Sequence, residues 1–142
     1  MLAGLLLQDA GGGLSMAKEK ILLVDDELDF VEVARLRLEN SGYEVIVAYD
    51  GVEGLEKAKI DKPDLIILDI MMPKMNGFDV CRKLKIDKNF KNIPIIMLTA
   101  KYQPNDIRFG TAMGADEYLT KPFEPQILLD KIRELLDKKK AS

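Results

Sequence analysis

The chain has 142 residues, 47% of them hydrophobic and 32% charged, which suits one domain of ordinary size with a proper core. A net charge of −3 leaves no electrostatic footprint for nucleic acid, so no direct nucleic-acid binding by this segment is expected, and the single cysteine excludes an internal disulfide and fits a reducing cytosol. There is no histidine; this removes imidazole zinc sites, Ser-His-Asp and Cys-His catalysis and any phosphohistidine role, leaving oxygen chemistry with hard cations such as magnesium.

Residues 1–15 stand apart. They lack the positive start of a signal peptide, their apolar stretch is short, and Gly11-Gly-Gly13 follows before Met16 opens a run that reads like a natural beginning. An expression leader or disordered tail is the reading adopted, with a docking peptide led by Leu5-Leu-Leu7 the sharper alternative. No Gly-Lys-Ser/Thr follows the glycines, so they form no phosphate-binding loop. No run approaches the roughly 18 apolar residues that a membrane span needs.

From Lys18 the pattern alternates strand and helix. A first strand, Lys20 to Val24, precedes a helix from Leu28 to Asn40 with a stripe of Phe30, Ala34 and Leu38 flanked by Val33 and Leu36; Gly42 is the stop signal. Asp26 or Asp29 is a candidate cap. Glu44 to Ala48 reads as the second strand, and Gly51 to Ile60 as a short helix turning Val52, Leu55 and Ala58 inward. The third strand, Leu65 to Leu68, leads through Ile70-Met-Met-Pro-Lys-Met-Asn76 into a helix from Gly77 to Ile86, where Cys81 sits among Phe78, Val80 and Leu84 as an inert thiol. Pro94 opens the fourth strand and Pro104 the fourth helix, places where a missing N–H costs little. The fifth strand, Glu117 to Thr120, is short. The last helix starts near Pro125 with Ile127, Leu128, Ile132, Leu135 and Leu136 on its apolar face, and the Lys138-Lys-Lys140 run complements its dipole. This order predicts an α/β fold, a doubly wound five-stranded parallel sheet covered on both faces.

Four apolar runs end in reactive polar residues. Ile21-Leu-Leu-Val24 runs into Asp25-Asp-Glu27, Leu65-Ile-Ile-Leu68 into Asp69, Ile95-Ile-Met-Leu98 into Thr99, and Tyr118-Leu-Thr120 into Lys121-Pro122. Ligands of open parallel sheets bind beyond the carboxyl ends of the strands. Three carboxylates, a hydroxyl and an ammonium are thus predicted to meet at one edge, as a site for a cation and a phosphate. Each motif alone has an ordinary structural reading as a cap, a turn or a satisfied strand end; their joint occurrence carries the functional one.

Those same residues give the chain from about Lys18 to Lys138 a resemblance to the receiver domain of two-component response regulators. Leu23-Val-Asp-Asp-Glu27, Asp64-Leu-Ile-Ile-Leu-Asp-Ile-Met-Met-Pro73, Met75-Asn-Gly-Phe78, Ile95-Ile-Met-Leu-Thr-Ala100 and Gly114-Ala-Asp-Glu-Tyr-Leu-Thr-Lys-Pro-Phe123 carry it. The resemblance implies a (βα)5 flavodoxin-like fold over residues 16–142 and a cytoplasmic protein that catalyses only its own phosphorylation and dephosphorylation. It makes Asp69 the phosphoryl acceptor, with Thr99 and Lys121 as its helpers. Mg2+ or Mn2+ is implied, held by Asp26, Asp69 and the backbone carbonyl of Met71, with Asp25 acting mainly through water. Thr99 and Tyr118 are the implied switch pair, repacking the surface of the fourth helix, fifth strand and fifth helix; a half-buried strand tyrosine is the plainer reading of Tyr118. Ala100 leaves room for the phosphoryl group, Met71 and Lys101 flank its exit, and Lys121-Pro122 is a candidate cis peptide. The implied partners are a sensor histidine kinase or histidine phosphotransfer protein and a downstream protein or effector domain, with the chain a monomer or weak dimer. Ile107 and Ile127 fall on the face where relatives place charged dimer contacts. Whether the chain stands alone or is cut from a longer protein stays open. One rival is a haloacid-dehalogenase-type phosphohydrolase, but its second acid would fall at Met71; another is a pseudo-receiver module that binds partners without being phosphorylated, but such modules usually lose part of the acid cluster that this chain keeps. The methionines here fit gap-filling better than a ligand pocket.

Overall fold

Strand sequences this apolar must be covered on both faces, and they are. In a computed structural model that describes residues 17–100, 108 and 111–141, five strands form one parallel sheet in the order β2-β1-β3-β4-β5. The elements are β1 (Lys20–Val24), α1 (Leu28–Asn40), β2 (Glu44–Ala48), α2 (Gly51–Asp61), β3 (Leu65–Asp69), α3 (Gly77–Lys85), β4 (Ile95–Thr99), β5 (Glu117–Thr120) and a C-terminal helix, Pro125–Ala141. The fourth predicted helix lies outside the described residues, save that Arg108, Thr111 and Ala112 are helical. The leader and Lys101 also lie outside them.

Alternation along each strand sorts the core into two layers. Ile21, Leu23, Leu65, Ile67, Ile96 and Leu98 face α1 and the C-terminal helix, packing with Val31, Leu38, Leu128 and Ile132. Leu22, Val24, Ile66, Leu68, Ile95 and Met97 face the other way, against Ala58, Val80, Cys81 and Leu84 of α2 and α3. Cys81 is buried, its Sγ donates to the Met113 carbonyl at 3.5 Å, and burial pushes the thiol up to about 11, which leaves it inert at neutral pH. Glu19 accepts both guanidinium branches of Arg133 at 3.0 and 3.1 Å, tying the C-terminal helix to the entrance of β1. No helix among the described residues is long and apolar enough to cross a membrane.

Three details of which helix faces are buried differ from the sequence reading. On α1 the residue that reaches the sheet with Ala34 and Leu38 is Val31, 1% exposed, while Val33 and Leu36 are 64% and 47% exposed. The spacing 31, 34, 38 follows one side of a 3.6-residue helix, and Val33 lies a fifth of the circumference or more off that line. Val31→Ala is therefore expected to cost about 2 kcal/mol and Val33→Ala less than about 0.5 kcal/mol in urea unfolding. On α2 the buried residues are Gly51, Gly54 and Ala58, with Val52 at the surface. Small residues are needed because α2 lies so close: a Cβ at Gly54 would stand 2.8 Å from Val24 Cγ1. Ile127 is exposed rather than part of the apolar face of the last helix.

Helix starts follow the cap residues. Asp50 accepts from the Glu53 N–H at 2.8 Å to open α2, and Asn76 from the Asp79 N–H at 3.0 Å to open α3. Neither Asp26 nor Asp29 caps α1. That position is Glu27, whose side chain makes no cap bond.

Candidate functional site

The carboxyl ends of β1, β3 and β4 carry Asp25, Asp69 and Thr99, all buried, beside the switch from β1 to β3 where the winding direction reverses. Asp25 is held by both neighbours: its N–H donates to the Ala48 carbonyl at 3.1 Å, and its Oδ1 accepts from the Glu27 N–H at 2.9 Å. Asp69 is the last residue of β3, one position past the predicted strand end, paired in register with Leu98. Thr99 likewise ends β4 and pairs with Thr120; the Lys121 N–H then donates to the Thr99 carbonyl at 2.7 Å, so the lysine emerges at the same rim. The Lys121–Pro122 peptide bond is cis.

Carboxylate oxygens of Asp25, Asp26 and Asp69 all lie within 4.8 Å of one another. Lys121 Nζ stands 2.7 Å from Asp25 Oδ2, 2.6 Å from Glu27 Oε1 and 3.7 Å from Asp69 Oδ1. The Asp25 contact is an ion pair without the alignment of a good hydrogen bond, which leaves a buried carboxylate oxygen under-satisfied. One ammonium thus faces three acids. Burial, then the neighbouring Asp25 charge, pushes the Asp69 carboxyl up to about 7, with Lys121 pulling the other way. Burial also raises Asp25 against the pull of Lys121. Burial works against the Lys121 charge, but its contacts with Asp25 and Glu27 win and hold the ammonium above its ordinary range.

This donor set fits a hard divalent cation: it is all oxygen, it carries excess negative charge, and one buried oxygen lacks a well-aligned donor. Met71 follows Asp69 by two residues, with its side chain exposed. The loop containing it is closely packed at both ends: a Cβ on Gly51 would collide with the Met75 carbonyl oxygen, and one on Gly77 with that of Asp69. Ala100 lies exposed past β4. Tyr118 is half-buried on β5, paired in register with Met97 and packed against the second core layer.

The sequence reading gives Glu27, Phe30 and Phe123 no role of their own at the site. Lys121 Nζ sits 4.3 Å from the centroid of the Phe30 ring, and Phe123 meets that ring edge-on at 6.0 Å. They line a groove of about 480 Å³ with Ala100, Lys121 and Pro122. A signal was present for two of them: Glu27 extends the acid pair, and Phe30 follows it by the three residues that put side chains on one helix face.

Fold and site together define a receiver domain: a parallel sheet in 2-1-3-4-5 order with an acid cluster, a hydroxyl and a lysine at one rim. The chain belongs to the response regulator receiver domain family of two-component systems, whose profile matches residues 21–133. Receiver domains bind Mg2+ at an acidic pocket of this kind. The chain is 48% identical over 118 residues to the alkaline phosphatase synthesis transcriptional regulatory protein PhoP of Bacillus subtilis, covering 83% of this chain and 48% of that protein. It is 44% identical over 117 residues to the DNA-binding dual master transcriptional regulator RpaA of Synechocystis, covering 82% and 48%. The chain therefore spans about half the length of these curated relatives. Among solved structures, the CheY-like receiver domain protein of Methanospirillum hungatei superposes with a TM-score of 0.83 at 34% identity, over 88% of this chain and 98% of that one. The chemotaxis response regulator CheY4 of Vibrio cholerae gives 0.79 at 37%, over 84% and 99%.

Proposed function

We propose that Asp69 accepts a phosphoryl group from a phosphohistidine of a sensor histidine kinase or histidine phosphotransfer protein, and that the acyl phosphate switches a surface read by a downstream protein or effector domain. The observation that carries this is the buried Asp69 carboxylate flanked by two further aspartates and faced by Lys121. In the transfer an Asp69 carboxylate oxygen attacks phosphorus, the O–P bond forms, and the bond from phosphorus to the donor nitrogen breaks. Little covalent chemistry is asked of the protein beyond alignment and charge neutralisation. Bound Mg2+ would neutralise phosphoryl oxygens there, held by Asp26, Asp69 and the Met71 carbonyl, with Asp25 acting through water. Lys121 supplies a second positive charge and Thr99 a hydroxyl donor.

Phosphorylation adds up to about two negative charges and three acceptor oxygens. Thr99 bonds one of them, Tyr118 turns into the space behind it, and the surface around β5 and the C-terminal helix repacks. On this reading Ala100 leaves room for the phosphoryl group, and Ala100, Met71 and Lys101 tune how fast water removes it, so that the domain catalyses only its own modification and its reversal. A cytoplasmic, monomeric or weakly dimeric regulator fits this cycle, with residues 1–15 as a leader or tail outside the 16–142 receiver. The exposed Ile127 lies at the predicted output face.

Intact mass before and after acetyl phosphate, with and without Mg2+, tests the proposal. The expected result is the gain of one phosphoryl group per chain only when Mg2+ is present; no gain under either condition refutes it. Thr99→Ala should still be labelled, yet phosphorylation should no longer change its affinity for the downstream partner in titration calorimetry.

A further inference from the structure

We infer that Glu27 and Phe30 are positioning residues that restrain the Lys121 ammonium, so that Glu27 slows the gain of a phosphoryl group by Asp69. This rests on the phosphoacceptor role proposed for Asp69. A lysine ammonium has three N–H donors. The Lys121 ammonium makes its close contacts with Glu27 at 2.6 Å and Asp25 at 2.7 Å, whereas Asp69 Oδ1 is out of hydrogen-bond range at 3.7 Å. Phe30 presents its ring to the same Nζ at 4.3 Å, and the edge-on Phe123 backs that ring.

Two features mark Glu27 as the releasable arm. It occupies the cap position of α1, where a side chain would ordinarily serve the helix N–H groups, yet it makes no cap bond and pairs instead with a residue 94 positions away. It is also 64% exposed, whereas Asp25 is wholly buried and fixed by its bond from the Glu27 N–H. As charge builds on a phosphoryl group at Asp69, Lys121 Nζ must cross toward it, and the contact that has to give way is the one to Glu27. The carboxylate therefore competes with the incoming phosphoryl oxygens for the ammonium. Losing one exposed ion pair sets the size of the effect, about two- to five-fold in rate.

The test follows the phosphorylated fraction by intact mass over time, in acetyl phosphate with saturating Mg2+, for wild type, Glu27→Gln, Glu27→Asp and Phe30→Leu. Aspartate keeps the charge but is one methylene too short to hold Nζ, so both Glu27 variants are expected to be labelled about two- to five-fold faster than wild type. Phe30→Leu should move the same way by about two-fold, with urea midpoints near wild type for all three. Unchanged or slower labelling of Glu27→Gln overturns the inference. So does a Glu27→Asp variant that matches wild type while Glu27→Gln is faster, because charge near the cation and not contact with Nζ would then be the cause. A wild type that is never labelled defeats the phosphoacceptor reading itself, and is told apart from the other failures by that.

Discussion

Asp69→Asn is expected to abolish labelling by acetyl phosphate and, in metal-free buffer, to stabilise the fold above neutral pH. The first effect is chemical, since an amide oxygen at this position is no nucleophile toward phosphorus. The second follows from linkage. Folding moves the Asp69 carboxyl from its ordinary 3.8 up to about 7. Below the lower value the group is protonated folded and unfolded, and costs nothing. Between the two the unfolded chain ionises while the folded one keeps its proton, so stability falls as pH rises; above about 7 the penalty is complete. At roughly 1.4 kcal/mol per pKa unit the full deficit is on the order of 4–5 kcal/mol, and asparagine removes it. Urea unfolding with a chelator at pH 4 and pH 8 checks this: the variant should gain on wild type only at the higher pH, and added Mg2+ should shrink the gain. An advantage equal at both pH values would contradict the electrostatic account.

Lys121→Met should have the opposite sign. The ammonium is the countercharge of Asp25, which is 0% exposed, and the nearest positive group to Asp69 among the described residues. Taking one partner from a buried ion pair costs about 3–5 kcal/mol. That loss is expected at pH 8 and should shrink toward pH 5, because Asp25, already raised by burial, gives up its charge more readily once Lys121 is gone. Phosphorylation should slow by about a hundred-fold or more, the usual cost of losing a charge aimed at the transferred group. Equal urea midpoints for variant and wild type at pH 8 would show that Asp25 is neutral in the resting protein.

The site was legible because the fold is regular. Once Leu65-Ile-Ile-Leu68 and its three counterparts are read as strands of a parallel sheet, the residue after each run must lie at one rim, so Asp25, Asp69, Thr99 and Lys121 could be assembled from spacing alone. Facing was less legible. Val33 and Leu36 are as apolar as Val31, and hydrophobicity alone did not show which side of α1 meets the sheet. On α2 the buried positions are glycines, which carry no hydrophobic signal; what selects them is the approach of Val24 and of the Met75 carbonyl.

Residue types and their order along the chain thus settled the alternation of strands and helices, the family and the acids, hydroxyl and lysine of the site, because each depends on periodicity or on strand ends. Only the tertiary structure decided which of those acids hold Lys121, that Glu27 gives up capping to do so, and that Phe30 lies under the ammonium. Those are contacts between residues more than ninety positions apart, and their energies depend on burial and on distances of a few tenths of an ångström that no local pattern encodes.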